Sequence, residues 1–184
     1  MRTPPPLHDG ATVAVVSPAG PVVPDILQPG LLTLRHWGLQ LQVDDDVYDD
    51  HPTRGYLAGP DEQRTDAVQR ALDDPDVDAL VFSRGGYGTM RILPELDFEG
   101  FRRQPKLLVG FSDLTALHLH VAGNLGIPTL HAPVVKSLRM HRQGEPSFEA
   151  LRDALFGRRD PPFGVDGLTG IHGNRATGPL LGGN

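Results

Sequence analysis

Short continuous apolar runs alternate along this chain with segments whose apolar positions recur at helical spacing. Thr12-Val13-Ala14-Val15-Val16 is a β-branched run that stops at Ser17-Pro18, which reads as a buried strand followed by a loop. Residues 30–37 predict a helix closed by Gly38 at C′, with Pro29 in its first turn. Leu39-Gln40-Leu41-Gln42-Val43 alternates and predicts a second strand nearer a sheet edge. Gly59-Pro60 opens a helix over 61–72, with acids in its first turn and Ala67, Val68, Ala71 and Leu72 as its buried stripe. Further strands are expected over 78–82, 106–109 and 129–131, and further helices around 90–93, 114–124 and 149–156. Strands and helices alternate, so the class is α/β: a largely parallel sheet with helices on both faces.

Ligands in such sheets bind beyond the carboxyl ends of the strands. Ser17, the 84–88 loop, Ser112 and His131 all fall there. Ser112 follows Leu107-Leu108-Val109-Gly110-Phe111 and precedes a helical segment, at a strand–turn–helix corner. Two readings fit that corner. Ser112 caps the helix, or it is an exposed nucleophile near the positive helix end, where a developing oxyanion is held. Leu114 stands where a fuller nucleophile-elbow pattern has a second glycine.

Gly85-Gly86-Tyr87-Gly88 lacks the Lys-Ser/Thr of a P-loop, and Arg91 stands where a dinucleotide fingerprint needs its third glycine. Adjacent glycines let a backbone N–H approach a site closely. The Gly86 N–H, with that of Asp113, is the candidate oxyanion hole; the other reading of the glycines is a plain turn. Arg84 either steers the terminal carboxylate of a peptide or joins an internal ion pair. A serine nucleophile needs a base within hydrogen-bond reach. Of eight histidines, His118 lies more than a helical turn beyond Ser112. His131 alone is expected near the corner, as a base or as a structural support, and with Arg84 and Gly85 it is a candidate to bind substrate. Asp45, Asp46, Asp49, Asp50 and His51 form an acidic loop without a calcium-loop glycine, so a solvated charged loop is expected there rather than a metal site.

Composition narrows the classes. At 184 residues the chain suffices for one domain with a sizeable core. It has no cysteine, which excludes disulfides and thiolate zinc sites. A net charge of −6 offers no basic excess for nucleic acid. Neither a secretory leader nor an apolar run of ~18 residues is seen, so a cytoplasmic protein without a membrane partner is expected. Lys106 and Lys136 are the only lysines, which reads as a compositional bias.

Four motifs together carry a resemblance. They are Ser17-Pro18-Ala19-Gly20-Pro21-Val22, Gly55-Tyr56-Leu57-Ala58-Gly59, the run from Ser83 through Gly88 and Arg91 to Asp97, and Gly110-Phe111-Ser112-Asp113. In this order the chain resembles the LD-carboxypeptidase family of serine peptidases, which also contains the microcin-immunity peptidases. The resemblance implies a flavodoxin-like or class I amidotransferase-like nucleophile domain, with Ser112 as nucleophile and no cofactor. Its substrate would be a murein tetrapeptide, cut before the terminal D-residue through an acyl-serine, in peptidoglycan recycling. The family's His-Gly-Pro segment appears here as His131-Ala132-Pro133, which implies a structural histidine that is not the triad base. Gly182-Gly183-Asn184 resembles the lead into a second domain that supplies the triad glutamate and histidine. Residues 1–157 are thus expected to form the nucleophile domain, and 158–184 a linker or the start of a missing C-terminal domain. On that reading the segment alone is inactive, and a homodimer stays open. The alternatives are hydrolysis of a peptide–nucleotide conjugate, a non-catalytic peptide-binding remnant, and a nucleotide-binding module using the Gly85-Gly86 loop. The Ser17–Pro21 loop favours the cell-wall branch.

Overall fold

The computed structural model describes residues 2–140, 146–158 and 182–184, the side chains of 146–148 excepted. Five parallel strands form one sheet in the order β2-β1-β3-β4-β5: β1 Thr12–Val16, β2 Gln40–Val43, β3 Ala79–Phe82, β4 Leu107–Gly110 and β5 Leu130–His131. The alternating strand β2 lies at an edge, as its pattern predicts. The continuous apolar strands β1, β3 and β4 lie inside, where both faces are covered.

The two-residue strand period splits the core. Val13, Val15, Ala79, Val81 and Val109 enter one apolar layer, and Ala14, Val16, Leu80, Phe82 and Leu108 the other. Helices α1 (Pro24–His36), α6 (Val135–Leu138) and α7 (Pro146–Leu155) contribute to the first layer. Helices α2 (Asp61–Asp73), the short α3 (Thr89–Ile92), α4 (Glu99–Arg103) and α5 (Thr115–His120) contribute to the second. The sheet is therefore sandwiched, as expected.

Helix α1 corrects one expectation. It starts at Pro24, so Pro29 sits inside it rather than in the first turn of a later helix. Its buried stripe Leu27, Gly30, Leu31, Leu34 is continuous at helical spacing and extends the helix toward its N-terminus. Pro29 lacks the N–H that would bond the Asp25 carbonyl, but both residues are exposed, on the side of the helix away from the core. Gly30 is required by packing, since a Cβ there would lie 2.0 Å from the Val135 carbonyl oxygen of α6.

The helix expected over 114–124 is three pieces: a 3-10 turn Ser112–Leu114, α5, and a π turn Val121–Leu125 closed by left-handed Gly126. Lys106 is no mere compositional remnant. It is buried at the start of β4, and its ammonium donates to the carbonyls of Ala71 (3.1 Å) and Asp74 at the C-terminal end of α2. Most of the linker expected over 158–184 lies outside the described residues.

Candidate active site

The chain leaves β1 for α1 on one face of the sheet and leaves β3 for α3 and α4 on the other. The strand order therefore reverses between β1 and β3, which opens a crevice beyond their carboxyl ends. The 17–22 loop, the 84–88 loop and the corner after β4 meet there.

The corner is built around two residues. Gly110 ends β4 where a Cβ would lie 2.9 Å from the Phe82 ring. Phe111 is extended, and Ser112 then turns into the left-handed region at φ +65°. It is the one non-glycine residue with positive φ among the described residues. Such a conformation costs an L-residue on the order of 1–2 kcal/mol. Ser112 makes no capping bond, and the N-cap position of the 3-10 turn is Phe111. The capping alternative therefore does not describe this serine. Asp113 holds the corner to the next loop: its Oδ2 accepts the Thr89 N–H at 2.8 Å.

The glycine loop reaches Ser112 directly. A Cβ on Gly85 would lie 2.9 Å from Ser112 Cβ and 3.0 Å from its Oγ. Gly86, at φ +133°, packs backbone to backbone on Gly20, whose N–H donates to the Gly85 carbonyl at 3.3 Å. Gly85 thus answers to packing, and Gly86 to packing as well as to turn geometry. The Arg84 guanidinium donates to the carbonyls of Gly85 (3.1 Å) and Pro21 (2.9 Å), and no carboxylate pairs with it among the described residues. The ion pair expected as its alternative role is absent from those residues.

Two buried polar groups support these loops, and of the two Arg64 lies outside the sequence-derived candidates. Arg64 is 2% exposed and donates to the carbonyls of Gly59 (3.1 Å), Gly88 (3.1 Å) and Pro18. It also pairs with Asp61, which Arg91 binds from the solvent side. Arg91, and Arg64 behind it, hold the Asp61 carboxyl below its ordinary value, against the effect of burial. One buried guanidinium thereby joins the loops after β1, before α2 and after β3. The signal for it was present: Arg64 continues the Ala67, Val68, Ala71, Leu72 stripe one turn earlier. Ser17 is the second group. Its hydroxyl donates to the Val47 carbonyl (2.8 Å) and meets the buried Ser83 hydroxyl at 2.6 Å, fixing the ends of β1 and β3.

The histidines sort by burial. His118 is 3% exposed and its Nε2–H donates to the Gly110 carbonyl at 2.9 Å, which leaves Nδ1 buried without a partner. Burial pulls its pKa below 6.5, and His131 pushes the same way. His118 is thus a neutral support behind the corner. His131 is exposed at the end of β5 and packs edge-on to the rings of Phe111 (6.3 Å) and His118 (6.1 Å). Gly183 sits against His131 and Thr115, and the Thr115 hydroxyl donates to the Asn184 carbonyl at 2.8 Å. In the acidic loop, Asp44 and Asp46 bind Arg70 while Asp49 accepts from Gln63. No group of three or more potential metal ligands occurs among the described residues. None of their helices is long and apolar enough to cross a membrane.

Comparison with known proteins follows the same outline. Residues 13–132 match the family model described as the LD-carboxypeptidase N-terminal domain. The murein tetrapeptide carboxypeptidase of Pseudomonas aeruginosa is 34% identical over 184 residues, covering 94% of this chain and 57% of that protein. A Bacillus subtilis protein named "Probable murein peptide carboxypeptidase" is 34% identical over 180 residues, covering 97% of this chain and 56% of its own length. The chain thus spans a little over half the length of these relatives. The crystal structure of an MccF-like protein from Bacillus anthracis superposes with a TM-score of 0.77 at 23% identity, covering 84% of this chain and 47% of that one, which establishes the shared fold. With its motifs matched in order and the family model spanning most of its described residues, the chain belongs to the LD-carboxypeptidase family.

Proposed function

We propose that this chain is the nucleophile-bearing part of a serine carboxypeptidase that removes the terminal D-residue from a murein tetrapeptide. The observation that carries this reading is Ser112: a serine at φ +65° directly beyond a central strand, with its side chain against Gly85. Left-handed backbone at a serine is retained where it aims the hydroxyl away from the sheet. The named relatives from P. aeruginosa and B. subtilis supply the substrate class.

In the proposed reaction, Ser112 Oγ attacks the scissile carbonyl carbon and passes its proton to a base. The backbone N–H groups of Gly86 and Asp113 receive the tetrahedral oxygen. Asp113 belongs to the first turn of a 3-10 helix, where N–H groups have no intrahelical acceptor. Collapse breaks the C–N bond, the departing D-amino acid takes the proton, and water then hydrolyses the acyl-serine. His118 is unsuited to serve as the base, because its Nε2 is committed to Gly110 and its Nδ1 is enclosed. His131 is exposed and turned onto Phe111. The base is accordingly assigned to the half of the relatives that this chain does not span, as the family's Ser-His-Glu triad implies. The setting would be cytoplasmic peptidoglycan recycling.

The test is tetrapeptide hydrolysis by residues 1–184 alone and by a chain extended to the relatives' full length. The extended chain should release the D-amino acid, its Ser112→Ala variant should lose several orders of magnitude in rate, and the short chain should be inactive. Enzyme-like turnover by the short chain would assign the base to a residue within it, and His131 would be replaced first.

A further inference from the structure

Beside the glycine pair lies a cleft of roughly 600 Å³ lined by Pro21, Gly55, Tyr56, Arg84, Gly86 and Tyr87. It opens where the strand order reverses, between the loops after β1 and β3. Its cation is Arg84. Two carbonyls, of Gly85 and Pro21, fix the guanidinium, and it lies on Gly20, where a Cβ would come within 3.1 Å of Nε. Carbonyls orient a charge without neutralising it. A guanidinium offers five N–H donors; two are used here, and the rest are left for a ligand.

A second cation stands close by. The Lys136 backbone N–H donates to the Ser83 carbonyl at 2.9 Å, which sets the start of α6 next to Arg84. Burial lowers the Lys136 pKa, and the charges of Arg84 and Arg139 lower it further. No carboxylate pairs with Arg84 or Lys136 among the described residues, and Arg84 lines the cleft. In a chain of net charge −6, acids are not scarce. Two neighbouring cations without acids mark a place kept for an anion. Tyr56 and Tyr87, each about half exposed, stand with ring centres 6.0 Å apart on the same cleft.

We propose that Arg84, backed by Lys136, is the subsite for the free carboxylate of a peptide's C-terminal residue, and that Tyr56 and Tyr87 wall the space around that residue. This rests on the reading of Ser112 as nucleophile. A terminal carboxylate lies one residue beyond the scissile carbonyl, roughly 3.8 Å of chain from one Cα to the next. Arg84 is tied to the nucleophile through one residue: its guanidinium donates to the Gly85 carbonyl, and a Cβ on Gly85 would lie 3.0 Å from Ser112 Oγ. Such a subsite accounts for removal of a terminal residue only, since an internal peptide bond presents no charge there.

Binding of a murein tetrapeptide and of its C-terminal amide is compared by calorimetry on residues 1–184 carrying Ser112→Ala. The free acid should bind about tenfold or more tighter than the amide, the range for a charge-assisted hydrogen-bonded pair. Arg84→Gln should bring that ratio close to one, and Lys136→Gln should lower it in part. Tyr87→Ala should weaken acid and amide alike. Circular dichroism checks each fold, and if Arg84→Gln is unfolded, Arg84→Lys and Lys136→Gln decide. Equal binding of acid and amide, a ratio unchanged by these Arg84 and Lys136 variants, or no acid binding at millimolar concentration overturns the proposal. The catalytic reading fails separately, if the extended chain still hydrolyses peptide without Ser112.

Discussion

Gly85→Ala tests the contact on which the site depends. The new methyl would lie 2.9 Å from Ser112 Cβ and 3.0 Å from Oγ, against 3.4 Å from the Phe111 carbonyl oxygen. Carbon atoms pack optimally at about 3.5–4.0 Å, so the overlap with Ser112 Cβ is about half an ångström or more, while Phe111 is barely touched. Overpacking of this kind costs on the order of 1–3 kcal/mol. Gly85 does not have the positive φ that would strain an alanine by itself. The cost therefore belongs to the Ser112 side chain and should vanish with it. In a Ser112→Gly background, Gly85→Ala should be neutral or stabilising by about 0.4–1 kcal/mol, the usual gain from a less flexible unfolded chain. Ser112→Gly alone should be close to neutral, because relief of its left-handed strain offsets the added chain entropy. Urea denaturation of the four proteins gives the cycle, and a coupling of about 1–3 kcal/mol is expected. Additive costs would refute the contact and the site built on it.

Three further outcomes follow from buried groups. Arg64→Met should destabilise by about 2–4 kcal/mol in urea denaturation, because the Gly59, Pro18 and Gly88 carbonyls lose their common donor. Lys106→Met should cost about 1–3 kcal/mol for the carbonyls left unpaired at the end of α2, read as a lower Tm. His118 is depressed below 6.5 in the fold, so below that pH the unfolded chain binds the extra proton and stability falls until the folded pKa is reached. His118→Gln should lose less stability than the wild type from about pH 7 to about pH 5; equal slopes would show that His118 does not titrate in this way.

The architecture was legible because each strand declared itself by type. The continuous runs at β1, β3 and β4 demanded two covered faces, and Gln40-Leu41-Gln42-Val43 demanded one. Parallel alternation then brought Ser17, Arg84, Ser112 and His131 to one edge without any knowledge of contacts. Charged residues doing core work were harder to read, because Arg64 falls in line with the apolar stripe of α2 while its charge argues for solvent. Arg64 and Lys106 count as polar in any amphipathic pattern, and only the carbonyls around them make burial tolerable. The start of α1 was obscured by Pro29, whose missing bond falls on the exposed side. The strained φ of Ser112 has no local signature either, since a capping serine and an elbow serine read alike until the backbone is seen.

The central claim is that Ser112 forms the covalent intermediate. Its most direct measurement is mass spectrometry of the extended chain, quenched during turnover of an LD-tetrapeptide and digested. The account predicts a tripeptidyl acyl group on the fragment containing Ser112, absent from the Ser112→Ala protein, which should also release no D-amino acid. An acyl group on a different residue, or sustained hydrolysis by the Ser112→Ala protein, would contradict it.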